Sequence, residues 1–362
     1  MTTNAIIPFV ATHPGTLIRD ELEVRDDITQ TELATLLGVK PSFLNEIIRG
    51  KRPVTADISI LLEKALGIPA DYWMRFQSQY EIDTARAKEK NKSKLKLIDI
   101  WNTVSLYVPV KEFKKKGYLG NELSSNIAII QDIYDVQSLE ELEYKYKDKK
   151  FAFFKKSTKL QVDDKNMIAW IALVEYDAGK KLTNSFELDK LSQLKKELQE
   201  IFYNNVDIII SVEEVLTQYG VKFVLVDKLE KTPIDGYSFW SENNPVIALT
   251  LRHSRIDNFA FTLLHELGHI ALHLARYKEE KFLDLTEMDE NETEHAANNY
   301  AQDALIPKEC WEELKHNNAA LTDEKIYEFS DKYRIHPAII LGRICFESSD
   351  YVRKASIDKK IY

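Results

Sequence analysis

Two histidines four residues apart, with a glutamate directly after the first, stand at His265-Glu266-Leu267-Gly268-His269. On a helix, positions i and i+4 lie one turn apart on the same face. Both imidazoles can therefore converge on one Zn2+, and Glu266 can reach a water at that ion. Zinc acidifies the water, and the carboxylate takes its proton as a carbonyl is attacked. A pair of surface histidines is the plainer explanation, but it fits poorly. Phe261, Leu263, Leu264, Leu267, Ile270 and Leu272 make the helix apolar nearly all round, and a buried helix does not carry His, Glu and His without partners for them.

A catalytic zinc needs a third protein ligand and one open position. The helix expected over Glu292 to Leu305, ended by Pro307, offers Glu292, Glu294 and His295. Glu294 is favoured, with His295 next, because Asn298 follows Glu294 at i+4. Such a pair suits a ligand plus an amide that holds a ligand histidine by its other nitrogen. Most acids of the run from Glu279 to Glu294 are expected to be solvated. His253 and His273 read as structural, and Cys310 and Cys345 as small buried residues.

A second chemistry-bearing pattern lies near the N-terminus. Thr29 with Glu32 forms a capping box, Leu33 to Leu37 continues a helix, and Gly38 stops it. A second helix, Phe43 to Arg49 and begun by Pro41 or Ser42, follows after a tight connection. Two helices joined this way are a helix-turn-helix, whose second member lies in a DNA major groove with its first residues at base edges. On that reading Ser42, Phe43, Asn45 and Glu46 are exposed. Leu44, Ile47 and Ile48 divide between core and dimer contacts. Asn45 can bond adenine and Phe43 can touch a thymine methyl, while Gln30, Arg49, Lys51 and Arg52 suit phosphates. A five-helix bundle with no nucleic-acid role fits the same pattern.

Around these sites the helical head continues with Leu17, Ile18 and Leu22 in a first helix, Thr55 to Leu66 in a fourth and Tyr72 to about Ala87 in a fifth. Six basic residues then crowd into Arg86 to Lys96, as in a solvated helix face or linker. Beyond them Asp132 to Tyr146 looks helical. Met167 to Tyr176 reads as a strand ending in a turn at Asp177-Ala178-Gly179. Leu188 to Phe202 is an amphipathic helix. Ser211 caps a helix ending at Gly220. Strands are expected at Val221–Val226 and Val246–Leu249, with a turn at Asp235-Gly236 between them, and Asp257 caps the metal helix, Asn258 to about Leu274. Val246–Leu249, just before that helix, could pair with an extended peptide. The expected domains are 1–87, a middle region 88–205, and 206–362.

The length of 362 residues allows two or three cored domains, and 44% apolar with 30% charged residues excludes a disordered chain. No apolar run is long enough to span a membrane. Two cysteines exclude a disulfide framework and point to the cytoplasm. The net charge of −9 falls mainly on residues 201–362, with 18 Lys+Arg against 28 Asp+Glu; residues 1–77 are near balance, 8 against 10. A bulk polycation is thereby excluded, and any DNA contact must come from a local patch.

Two resemblances follow. His13-Pro14-Gly15, Thr31-Glu32-Leu33-Ala34, Leu37-Gly38-Val39, Arg49-Gly50-Lys51-Arg52-Pro53-Val54-Thr55 and Ala65-Leu66-Gly67-Ile68-Pro69-Ala70-Asp71-Tyr72-Trp73 make residues 13–87 resemble the Xre-type fold, and within it HigA-like antitoxins. That implies a lambda-repressor-like five-helix domain, a homodimer on palindromic operator DNA, and often a cognate ribonuclease toxin held inactive. His265–His269, Glu294-His295-Ala296-Ala297-Asn298-Asn299-Tyr300-Ala301 and Leu305-Ile306-Pro307 make residues 211–344 resemble the ImmA/IrrE zinc metallopeptidases. Ala296 stands where many relatives have an acid. The resemblance implies a zincin-like domain with a small sheet, Zn2+ on His265, His269 and Glu294, and endopeptidase action on a helix-turn-helix repressor. Similar fused proteins carry a segment like Ile335-His336-Pro337, so His336 is a candidate to stabilise the oxyanion; a helix-capping or core histidine is the plainer role.

The expected fold class is therefore α+β, mostly helical. The expected function is a DNA-binding regulator or antitoxin fused to a zinc endopeptidase that acts on a regulatory protein. An antitoxin and autorepressor with a non-catalytic zinc domain, and a scaffold that only binds proteins, remain open.

Overall fold

A computed structural model describes residues 10–154, 163–252, 254–285, 291–316, 322–349 and 356–362, with only the backbone described over 149–154. His253 lies outside the described residues. The fold is mostly helical with one small mixed sheet, and it divides into two compact units, 1–100 and 101–362.

The first unit contains α1 (Gly15–Val24), α2 (Gln30–Leu36), α3 (Pro41–Ile48), α4 (Ala56–Leu66) and α5 (Ala70–Ala87); α6 (Glu89–Tyr107) crosses the division. Local signals set its helix ends. Thr29 and Glu32 make both bonds of the capping box at α2. Pro41 opens α3, where its missing N–H costs nothing. Thr55 caps α4, and Gly67 ends it in the left-handed region at φ 77°. The core closes on Ile18, Leu44, Ile47, Leu62 and Trp73, all fully buried. Gly15 has no room for a side chain, since a Cβ there would lie 2.1 Å from the Ile47 carbonyl oxygen.

The second unit continues with α7 (Val110–Lys115), α8 (Leu123–Tyr134), α9 (Leu139–Phe154), α10 (Asp164–Lys180), α11 (Leu191–Asn204), α12 (Ile208–Gln218), β1 (Lys222–Leu225), β2 (Ile234–Ser241) and β3 (Asn244–Leu249). Then come α13 (Ile256–His269), a π-helical turn (Ile270–Leu274), β4 (Lys281–Leu285), α14 (Glu292–Leu305), α15 (Lys308–His316), α16 (Asp323–Tyr333) and α17 (Pro337–Ser348). The sheet order is β1-β3-β2-β4. β1 runs parallel to β3, and β2 runs antiparallel to both β3 and β4. Helix α10 packs on β1 and β2, α13 packs on β2 and β3, and α14 lies along α13. Close approach of α13 and α14 needs Gly268, whose missing Cβ would sit 3.2 Å from Ala297 Cα. The terminal residues return to this core. The Ile256 N–H at the start of α13 donates to the Lys359 carbonyl at 2.8 Å, and the Ile208 N–H at the start of α12 to that of Tyr362 at 2.9 Å. Both are helix-end donors that would otherwise lack a partner.

Several expectations are corrected. Met167–Tyr176 is not a strand but the middle of α10, which runs through the expected turn to Lys180. Every residue from Asn166 to Val174 is buried, so the apolar run carries no period to distinguish helix from strand. Asp132–Tyr146 is two helices, broken where Asp135 adopts φ 49°. Ser211 lies inside α12, which begins three residues earlier, after Asp207. Asp257 is not the cap of α13; Arg255 is, and it ion-pairs with Asp257. Asp235-Gly236 is strand, not turn. Finally, β3 is central and cannot take an added peptide strand, because β1 and β2 already pair with both of its edges.

Candidate metal centre and nucleic-acid interface

Helices α13 and α14 bring His265, His269 and Glu294 together, each offering a ligand atom within 4.8 Å of the others. His265 Nε2 and His269 Nε2 are 3.0 Å apart, and Glu294 Oε2 lies 3.2 Å from the first and 3.4 Å from the second. Both histidines are buried. Asn298 Oδ1 sits 3.0 Å from His265 Nδ1. A proton on Nδ1 donated to that oxygen fixes the tautomer and leaves the Nε2 lone pair for a cation. Asn291 caps α14 by accepting from the Glu294 N–H at 2.9 Å, which sets the position of Glu294 in the first turn. Glu292 and His295 are both exposed and lie outside the group.

Glu266 is fully buried, and neither of its oxygens has a hydrogen-bond partner among the described residues. The Ser238 hydroxyl comes close enough to favour the anion but falls outside hydrogen-bond geometry. Burial dominates and pushes the Glu266 carboxyl up to about 8. Asp284 of β4 is pushed up to about 6, also chiefly by burial. Burial opposes the charge on His265, yet Glu294, Glu266 and Asp284 together raise it to about 9. Glu294 has the converse balance: burial opposes its charge, and the two imidazoles hold it well below the usual carboxylate range. His269 is lowered, mainly by burial.

This donor set suits a divalent cation. Two imidazoles and a carboxylate converge with three donor atoms at mutual contact, and the buried carboxyl of Glu266 beside them is only partly offset by His265. Zn2+ accepts this combination of nitrogen and oxygen ligands.

Three participants escaped the sequence reading. Gly236 gives Glu266 its space, since a Cβ at Gly236 would lie 2.1 Å from Glu266 Oε1. Asp284 forms a second acidic cluster with His265 and Glu266. Phe282 stacks on His269 with ring centroids 4.3 Å apart. His273 lies against His269 and Phe282, its Nε2 without a hydrogen-bond partner among the described residues. His336 caps α17, its Nδ1 accepting from the Ala338 N–H at 3.2 Å. The charges that act on it are Asp257 and Asp358, and it is not part of the metal group. Cys310 is half-buried and Cys345 buried, both as free thiols.

In the first unit, α3 buries Leu44 and Ile47 and leaves Ser42 exposed. Phe43, Asn45 and Glu46 are half-buried, less open than the sequence implied, and Ile48 is half-buried too. Gln30 begins α2 and is half-buried; Arg49, Lys51 and Arg52 are exposed. Arg52 ion-pairs with Glu46 and lies over the Phe43 ring, 5.1 Å from its centroid.

Residues 18–73 match the family described as Helix-turn-helix, and residues 217–343 match the peptidase family described as IrrE N-terminal-like domain. Virulence-associated protein I of Dichelobacter nodosus is 34% identical over 88 residues, 24% of this chain and 79% of that protein. Among solved structures, the Pseudomonas aeruginosa antitoxin HigA with higBA promoter is 35% identical, covering 24% of this chain and 90% of that one, with a TM-score of 0.22. An addiction module antidote protein of a HigA family from Coxiella burnetii is 29% identical over 24% of this chain and 92% of that one, also at 0.22.

Proposed function

We propose that this chain, which belongs to the Xre-type helix-turn-helix family and carries an IrrE N-terminal-like peptidase domain, is a transcriptional regulator with a zinc-dependent endopeptidase that cleaves a regulatory protein. Residues 1–87 would hold operator DNA and 206–362 would carry out proteolysis. Residues 88–205 would support the second task, through α10 behind the sheet. The observation that carries the peptidase reading is a fully buried Glu266 carboxylate without a hydrogen-bond partner, next to three convergent ligands.

Zinc held by His265, His269 and Glu294 would supply Lewis-acid polarisation of the scissile carbonyl and acidify water. Glu266 takes a proton from the attacking water as the new C–O bond forms. It then returns that proton to the amide nitrogen as the C–N bond breaks. Asn298 keeps His265 oriented throughout. The substrate strand would add to β4, an edge of the sheet whose outer side pairs with no described strand. Phe282 and Asp284 share one face of β4 and meet His269 and His265, so a peptide along that edge runs past the ligands. The head would act as a homodimer in the cytoplasm, because one recognition helix spans only half of a palindromic operator. No described helix is long and apolar enough to cross a membrane.

The test compares wild type with Glu266→Gln, each produced in cells lacking the chromosomal copy, by mapping protein N-termini and measuring zinc per purified chain. Cleavage sites present only with the wild type, at one zinc per chain in both proteins, are expected. Identical N-termini in both, with zinc retained, would replace the peptidase with a structural or sensory zinc domain on an antitoxin-like repressor. Folded protein without zinc would remove the site altogether.

A further inference from the structure

We propose that Arg52, held by Glu46 and Phe43, reads a guanine in the major groove rather than binding a phosphate; the inference rests on the operator-binding reading above. Arg52 lies beyond the end of α3, yet three contacts bring it back onto that helix. The N–H groups of Lys51 and Arg52 both donate to the Glu46 carbonyl, at 2.8 and 3.2 Å. This turn requires Gly50 at φ 70°, and the His13 ring packs against Gly50. The Arg52 side chain then follows its backbone. Its Nε donates to Glu46 Oε2, and its guanidinium lies over Phe43. Phe43 itself packs on the core of the head.

Phe43 belongs to the first turn of α3, the end that faces base edges in a docked helix-turn-helix. A guanidinium over that ring stands at the groove. With Nε committed to Glu46, the two terminal amino groups form the free edge of the fork. That edge matches guanine O6 and N7, two acceptors in one plane. A phosphate is the poorer partner. Glu46 sits beside the guanidinium and would repel it, and the Arg–Glu pair carries little net charge to displace counterions. A base edge carries no formal charge and suffers no such penalty. Arg49 and Lys51 are exposed, form no ion pair among the described residues, and keep the phosphate role. Glu46 is a positioning residue acting through Arg52.

The experiment selects a randomised duplex DNA library with the full-length chain, as wild type, Arg52→Lys, Arg52→Ala, Glu46→Gln and the double variant Glu46→Gln/Arg52→Ala. Wild type is expected to enrich a motif with one fixed guanine in each half-site. Arg52→Lys keeps the charge and loses the fork. It should lose about ten- to hundred-fold of discrimination at that guanine while the other positions persist. Glu46→Gln should lose part of it, and the double variant should match Arg52→Ala. Full guanine preference in Arg52→Lys would overturn the inference. So would a uniform loss in Arg52→Ala across all sequences, with the salt slope falling by about 0.9, as for a phosphate contact. If wild type enriches no motif, operator binding itself fails and the inference with it.

Discussion

The head and the metal domain solve opposite problems. In the head the functional side chains stand at the surface, and the core beneath them is apolar, built from α1 to α5 by contacts between near neighbours in sequence. The metal domain buries its functional side chains. His265, His269 and Glu266 are enclosed, and what orients them comes from far along the chain: Asn298, Gly236, Phe282 and Asp284. Burying polar groups costs free energy unless something compensates. In one region the candidate residues lie over an apolar core; in the other, the fold encloses a charge problem that a divalent cation would resolve. Variants in the two regions should therefore fail in different ways.

The largest separation is expected from Glu266→Gln. Removing a general base costs about 10²- to 10⁴-fold in rate, whereas zinc content and DNA affinity should stay at wild-type values. Peptide cleavage, metal analysis and operator mobility shift on the same preparation measure all three. A parallel fall in zinc would mean that Glu266 is structural.

Asn298→Ala tests whether distant orientation matters. Loss of the amide that orients a ligand histidine lowers metal affinity by about ten- to hundred-fold. Zinc competition with a chelating dye would show this as weaker retention, with no change in the head. Unaltered affinity would mean that packing of α13 against Phe282 and α14 fixes the ring alone.

The same contrast decides how much the sequence revealed. Head elements follow short-range rules, such as Thr29 with Glu32, Pro41 at a helix start and Gly67 at a helix end, so all five helices were legible within a few residues. The ligand helices were legible too, from the histidine spacing and from Asn298 four residues after Glu294. What escaped depends on contacts between segments. Asp235-Gly236 resembles a hairpin turn, but Gly236 is interior to β2 because Glu266, thirty residues later, occupies its side-chain space. Asp284 was hidden in an acidic run that otherwise looks solvated. Strand order has no local signature, so the sequence offers β3 to a peptide although, among the described strands, β3 is interior and β1 and β4 are the edges. In α10, burial on all sides erased the period that identifies a helix.

In the head, Gly15→Ala sets two effects against each other. Alanine is favoured over glycine by about 1 kcal/mol in a helix interior, and by less at the first position of α1. Here its Cβ would meet the Ile47 carbonyl at 2.1 Å, and overpacking of this kind costs about 1–3 kcal/mol. The clash should win. Hydrogen exchange on the full chain should speed up in α1 and α3 and stay unchanged in α13 and α14. Slower exchange in α1 would show that the backbones separate easily there.

The smallest effect belongs to the capping box. Thr29→Ala removes the bond to the Glu32 N–H and should cost about 1 kcal/mol. Its pH dependence gives a sharper test than its size. The Thr29 hydroxyl and N–H both donate to Glu32 and hold its carboxyl below the ordinary value. A depressed carboxyl contributes stability that is present above the unfolded-state pKa and is lost as pH falls through the lower folded-state value. Wild type should therefore lose protection of α2 amides on acidification across the range below the ordinary glutamate pKa. Thr29→Ala keeps only the N–H donor and should lose less over that range. Equal acid sensitivity in the two proteins would show that the box closes too weakly in solution to set the start of α2. The head would then depend on its apolar core alone, and its contrast with the metal domain would widen.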